Sequence, residues 1–167
     1  QPYKTATAYK HSGSRAMTLQ DQANGTSSWM STQKLPIDRA GKYAVSVWVY
    51  RQTASTHPLE GIKLWLSPNA DDTTGATFLG EVHRHYGAAP AEAAAGWYNY
   101  QFPIEGNGNK YILIQGTSTY GNATYFDDLE VYELPCEKPA DYTENFEHQD
   151  NNMVPLCWDN SASTSTT

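Results

Sequence analysis

Apolar and polar residues alternate along most of this chain with a period of two, the pattern of half-buried β-strands. The alternation is clearest over residues 42–52. Tyr43, Val45, Val47 and Val49 share one face there, and Ala44, Ser46, Trp48 and Tyr50 share the other. Both faces are substantially apolar, which predicts a central strand covered on two sides. Residues 15–20 alternate in the same way. Residues 28–37, with Trp29, Met30 and Leu35, predict a strand stopped near Pro36. Further strands are predicted over 61–67, where Ile62, Leu64 and Leu66 oppose Lys63 and Trp65, and over 77–86. Residues 97–104 and 111–115 flank Gly106-Asn107-Gly108-Asn109, which reads as a tight turn closing a hairpin. Residues 124–133 end the series as an alternating strand that carries an adjacent carboxylate pair, Asp127 and Asp128.

Between these runs lie polar or small-residue stretches: 1–14, a turn at 21–26, and loops at 53–59, 68–75 and 87–96. No segment repeats apolar residues at the helical period. Many evenly spaced strands joined by Gly/Asn turns predict an all-β protein, a β-sandwich or jelly roll. Pro135-Cys136-Glu137-Lys138-Pro139-Ala140 breaks the pattern as a linker does. Two further strands follow at 143–147 and 154–158, and then a hydroxyl-rich end at 161–167.

At 167 residues the chain can bury one proper core. Five Trp, twelve Tyr and abundant Thr, Ser and Val give it β-propensity and a surface of hydroxyls and amides. The formal net charge of −7 comes without a basic stripe, which excludes nucleic acid as a partner. No apolar run is long enough to insert into a membrane. No signal peptide opens the sequence, so Gln1 reads as the start of an excised or processed piece. For Cys136 and Cys157, a disulfide in an oxidising compartment and two free buried thiols are both open readings.

Candidate chemistry is thin. The sequence has no Gly-x-Ser-x-Gly elbow, no phosphate loop and no His-Glu-x-x-His, and the chain is read as non-catalytic. His83 and His85 share a strand face but lack a third ligand at metal spacing, and they read as a polar strand end. Asp71-Asp72 and Asp150 read as solvated loop acids. Trp48, Trp65, Trp97, Tyr86, Tyr98, Tyr100 and Tyr120 could stack on sugar rings wherever a face is open, although most aromatics are core. The loop-proximal Tyr86, Trp97 and Tyr120 are the preferred candidates.

Several motifs carry a resemblance to a known family. Asn145-Phe146-Glu147, followed by Pro155-Leu156-Cys157-Trp158, resembles the opening of a cleaved-adhesin module. Such modules, also called choice-of-anchor J, are MAM-like jelly-roll domains of Bacteroidetes surface proteins. His11-Ser12-Gly13-Ser14-Arg15-Ala16, Trp29-Met30-Ser31-Thr32-Gln33-Lys34-Leu35 and Phe126-Asp127-Asp128-Leu129-Glu130-Val131 look like the family's middle and end. Their order is displaced, because the family's first strand stands here at the C-terminus. With the tail placed ahead of the head, the text reads as one uninterrupted module, as one period of a tandem array would. Residues 1–134 are then a sandwich lacking its first strand, and 135–142 a linker. Residues 143–167 are the first strands of the next repeat or, by circular permutation, of the same module.

The resemblance implies an extracellular or cell-surface adhesin repeat. Identical modules would link head to tail, in a filament or array, through the donated strand 143–147, and bind a glycan or host surface protein. The alternative is a carbohydrate-binding module cut from a secreted glycan-degrading or proteolytic enzyme. The resemblance also implies a structural calcium held by Glu147 and by Asp127 or Asp128. The family's Asp/Gly-rich calcium loop is missing after Trp158, where Asp159-Asn160-Ser161 stands instead.

Overall fold

In this computed structural model, residues 3–20, 26–53 and 56–135 are described. They form β1 (Tyr3–Ala6), β2 (Ala16–Leu19), β3 (Thr26–Ser31), β4 (Leu35–Arg51), β5 (Gly61–Ser67), β6 (Thr77–His83), β7 (Gly96–Ser118) and β8 (Thr124–Glu133). Every ladder is antiparallel. One sheet runs β1-β2-β8-β4-β7 and the other β3-β7-β5-β6, with β7 common to both. Gly96 to Lys110 of β7 lie along β4, and Tyr111 to Thr117 lie along β5. The result is the expected sandwich. The C-terminal strand pair, the linker beyond Pro135 and both cysteines lie outside the described residues.

The pattern of 42–52 predicts its environment correctly, because β4 is flanked by β8 and β7. Val45, Val47 and Val49 point inward with no exposed surface, against Ile62, Leu64, Val82, Ile112, Ile114 and Phe126. Each such buried side chain contributes about 1.5–3 kcal/mol. Two close approaches bring the layers together. Leu19 fills the place where a Cβ on Gly116 would stand, and the Phe102 ring does the same at Gly80. Tyr3 ties the layers across one edge by donating its hydroxyl to the carbonyls of Ser28 (3.0 Å) and Ile114 (3.1 Å). Burial pushes that phenol well above its ordinary pKa.

Four expectations need correction. Gly106-Asn107-Gly108-Asn109 is not a hairpin turn, for β7 continues through it in a single run of 23 residues. The start of β4 supplies the partners, Ile37 opposite Gly108 and Gly41 opposite Gly106, with a bulge between them. The predicted strand 28–37 is two strands: β3 ends at Ser31 and β4 starts at Leu35, so Pro36 lies inside β4. Residues Tyr3–Ala6, within the polar lead, form an edge strand. β6 stops at His83, so His85 stands beyond it, where it bridges to Gln52.

Candidate binding surfaces

The outer face of the first sheet is aromatic and roofed. Register places Trp48 opposite Asp127 and Asn99, and Tyr50 opposite Tyr125 and Trp97. The segment between β1 and β2 lies over these rings. Tyr9 packs on Tyr50 and Tyr125, with centroids at 4.6 and 5.0 Å. His11 stacks on Trp48 at 3.7 Å and meets Trp97 edge-on at 5.7 Å.

The carboxylate pair fastens this strap. Asp127 Oδ2 accepts the amides of His11 (3.1 Å) and Ser12 (3.3 Å), and its Oδ1 accepts the Asp128 amide (2.9 Å). Asp128 Oδ1 accepts the Ser12 hydroxyl, and its Oδ2 pairs with His11 Nδ1, both at 2.7 Å. Asp128 has φ +46° where β8 shifts register against β4, a bulge that re-aims its side chain. The bonds from His11 and then Ser12 hold its carboxyl below the usual carboxylate range. All four carboxylate oxygens thus already accept a hydrogen bond. Among the described residues, no group of three His, Cys, Asp or Glu is placed to hold a metal ion. The described pair alone is therefore no calcium cage, and the third implied ligand, Glu147, lies outside the described residues.

The loop end of the sandwich is organised by two buried cations. Arg84, with no exposed surface, pairs with Glu60 at 3.1 Å and donates to Thr56 O at 2.6 Å. Glu60 Oε1 accepts the amides of Thr119 (2.6 Å) and Gly121 (2.7 Å), which ties residues 56–60 to the β7–β8 connection. Arg51 donates to the carbonyls of His85, Ala88 and Pro90, each at 2.7 Å, and to the Tyr100 hydroxyl. Tyr100 passes its own proton towards Glu92 (2.8 Å). Burial, aided by that bond, pushes the phenol up to about 12. Sequence reading missed Arg51, for which a charged residue at the end of a strongly apolar strand was the available signal.

The three preferred aromatics do not converge. Trp97 joins the roofed cluster beside Tyr50 and His11, Tyr86 stacks on His85, and Tyr120 stands apart from both, 66% exposed with φ +68°. His83 and His85 also part company. His83 contacts Leu59 O and Glu81, while His85 accepts the Gly87 amide.

Among the described residues, nothing covers the outer face of the second sheet. Two adjacent cross-strand rows lie on it. One is Trp29, Gln115, Lys63 and Glu81, and the other is Ser31, Leu113, Trp65 and Phe78. Trp29 is 44% exposed and Phe78 48%, with Trp65 between them. An open cleft of about 280 Å³ adjoins the rings, lined by Trp29, Met30, Ser31, Ala70, Asp71 and Leu113. Sequence reading named Trp65 as an aromatic of interest but neither Trp29 nor Phe78.

A second opening lies beside β8. β2 pairs with β8 only from Thr124 to Phe126, so among the described residues the far half of that strand has β4 alone as its neighbour. Next to this unpaired edge is an opening of about 290 Å³. Its lining includes the interior side chains Met17, Met30, Ile114 and Phe126, together with Arg15, Asp127, Asp128 and Leu129.

Two antiparallel sheets, joined by a shared strand and carrying aromatic outer faces, define a jelly-roll β-sandwich, an architecture that binding modules use. No protein-family profile and no curated protein matches the chain in sequence. Solved structures match its fold. The K1 cleaved adhesin domain of Lys-gingipain from Porphyromonas gingivalis aligns at TM-score 0.57 and 17% identity, over 80% of this chain and 84% of that one. Its K3 cleaved adhesin domain aligns at 0.56 and 17%, over 78% and 89%. TmCBM61, solved in complex with β-1,4-galactotriose, aligns at 0.54 and 19%, over 80% and 83%. The neighbours thus include cleaved adhesin domains, as the motifs suggested, beside carbohydrate-binding modules. Among the described residues, no helix is long and apolar enough to cross a membrane.

Proposed function

We propose that the chain is a non-catalytic extracellular adhesin module whose sandwich is completed by strand 143–147 of an identical neighbour. The opening beside β8 is the observation that carries this reading. There, among the described residues, the far half of the strand lacks one partner, and apolar side chains line a gap. An extended segment supplying main-chain hydrogen bonds and one large apolar side chain would close it, which is the logic of strand addition. Asn145-Phe146-Glu147 offers such a segment, with Phe146 as the plug. A head-to-tail contact of this kind does not close on itself, so it propagates into a filament.

Light scattering on the full chain tests the proposal. Wild type should form a ladder of oligomers that grows with concentration, and Phe146→Asp should collapse it to monomers. A wild type that stays monomeric at every concentration, while Phe146→Asp unfolds, would instead mean that each module keeps its own strand.

The rival reading is a carbohydrate-binding module, and one observation favours it. Among the described residues, the second sheet presents an uncovered row of aromatic rings, where the first sheet covers its own.

A further inference from the structure

We propose that the outer face of the second sheet binds neutral, soluble oligosaccharide chains, with Trp29, Trp65 and Phe78 as the stacking floor. This rests on the binding-module reading but not on strand donation.

Large aromatics seldom stand half exposed side by side on a monomer's surface unless something lies on them. Here Trp29 and Phe78 are 44% and 48% exposed, and Trp65 lies between them at centroid distances of 6.4 and 5.0 Å. Those intervals are close to the spacing of successive rings along a glycan. A sugar ring has an apolar C–H face and a polar hydroxyl rim, so it needs both kinds of surface together. The two rows supply them, with Trp65 and Phe78 in one and the charged heads of Lys63 and Glu81 in the next. The Trp65 indole is fixed by its N–H bond to Gln115 (3.3 Å). Asp71 lines the adjoining cleft, where a carboxylate can accept hydroxyl protons from the end of a chain.

Charge selects within the sugars. Lys63 and Glu81 are 3.4 Å apart and cancel, and the protein carries −7 overall. Sulfated or uronic-acid chains therefore meet no net attraction. The ring planes select further. Trp29 and Trp65 are inclined by 47°, and Trp65 and Phe78 by 59°. A flat crystalline polysaccharide can lie on only one of these rings at a time, whereas a single chain that turns along its axis can meet all three.

The test is calorimetry and tryptophan fluorescence on the full chain, titrated with galacto-, gluco-, xylo- and mannohexaoses. Heparin oligosaccharides and crystalline cellulose serve as contrasts. At least one neutral hexaose should bind saturably. Trp65→Ala and Phe78→Ala should each weaken it about tenfold, the size of one lost stacking contact. Trp65→Phe should fall between, and Trp97→Ala on the roofed face should leave affinity unchanged. Should Trp65→Ala unfold, the exposed-ring variants Trp29→Ser and Phe78→Ser decide the matter. Three results overturn the proposal: no neutral hexaose binds, only heparin or crystalline cellulose binds, or the Trp97 variant alone loses affinity. Oligomer mass, which reports strand donation, should not change in any stripe variant, so the two proposals fail separately.

Discussion

Replacing Glu60 by Ala tests the clamp at the loop end of the sandwich. Glu60 is 3% exposed and Arg84 not at all. The substitution leaves a buried guanidinium without its carboxylate, while Arg84 keeps only acceptors such as Thr56 O and the Gln52 side chain. Stranding one member of a buried pair costs about 3–5 kcal/mol. The amides of Thr119 and Gly121 also lose their acceptor, so the upper half of that range is expected. For a domain of this size, ~1 kcal/mol moves Tm by roughly 2–4 °C, so the midpoint should fall by roughly 8–20 °C. Urea unfolding followed by tryptophan fluorescence measures the free energy, and calorimetry the midpoint. The double variant Glu60→Leu/Arg84→Met should recover most of the loss, because the desolvation cost of both charges disappears together. The reasoning is refuted if Glu60→Ala lies within about 1 kcal/mol of wild type, or if the double variant is as unstable as the two singles added.

Three further outcomes can be measured. Gly116→Ala would put a methyl 2.2 Å from Leu19 Cδ2, and overpacking there should cost about 1–3 kcal/mol in a urea titration. Hydrogen bonds lower the Asp128 pKa from 3.8, so its contribution is full above that value and is lost as pH falls through the depressed folded value. Wild type should therefore keep its strap contacts through the ordinary carboxylate range and lose them only as pH falls through that depressed value, seen in the His11 ring resonances, and Asp128→Asn should lack that acid step. If calcium binds at Asp127, Asp128 and Glu147, millimolar calcium should raise Tm and Glu147→Gln should abolish the rise. No shift in wild type would remove calcium from the account.

The sequence made the inner faces legible, because burial on a pleated strand enforces alternation at Val45, Val47 and Val49 and at Ile62, Leu64 and Leu66. It misled at 106–109 because Gly and Asn are turn-formers on average. Pairing with the start of β4 overrides that local preference, since strand propensity follows the neighbours a residue acquires. The edge strand β1 was hidden because Lys4 and Thr5 face solvent. The aspartate pair was visible, but its donors arrive from His11 and Ser12, more than a hundred positions earlier. Trp29 and Phe78 were overlooked for a related reason. Alternation tells which residues share a face and is silent about whether anything covers it.

The strand common to both layers bears on how the module comes apart. Because β7 runs unbroken from one sheet into the other, the two layers are tethered through a continuous strand as well as through their common core. Melting should therefore be a single cooperative event, with indoles on opposite faces reporting the same midpoint and no half-open form accumulating.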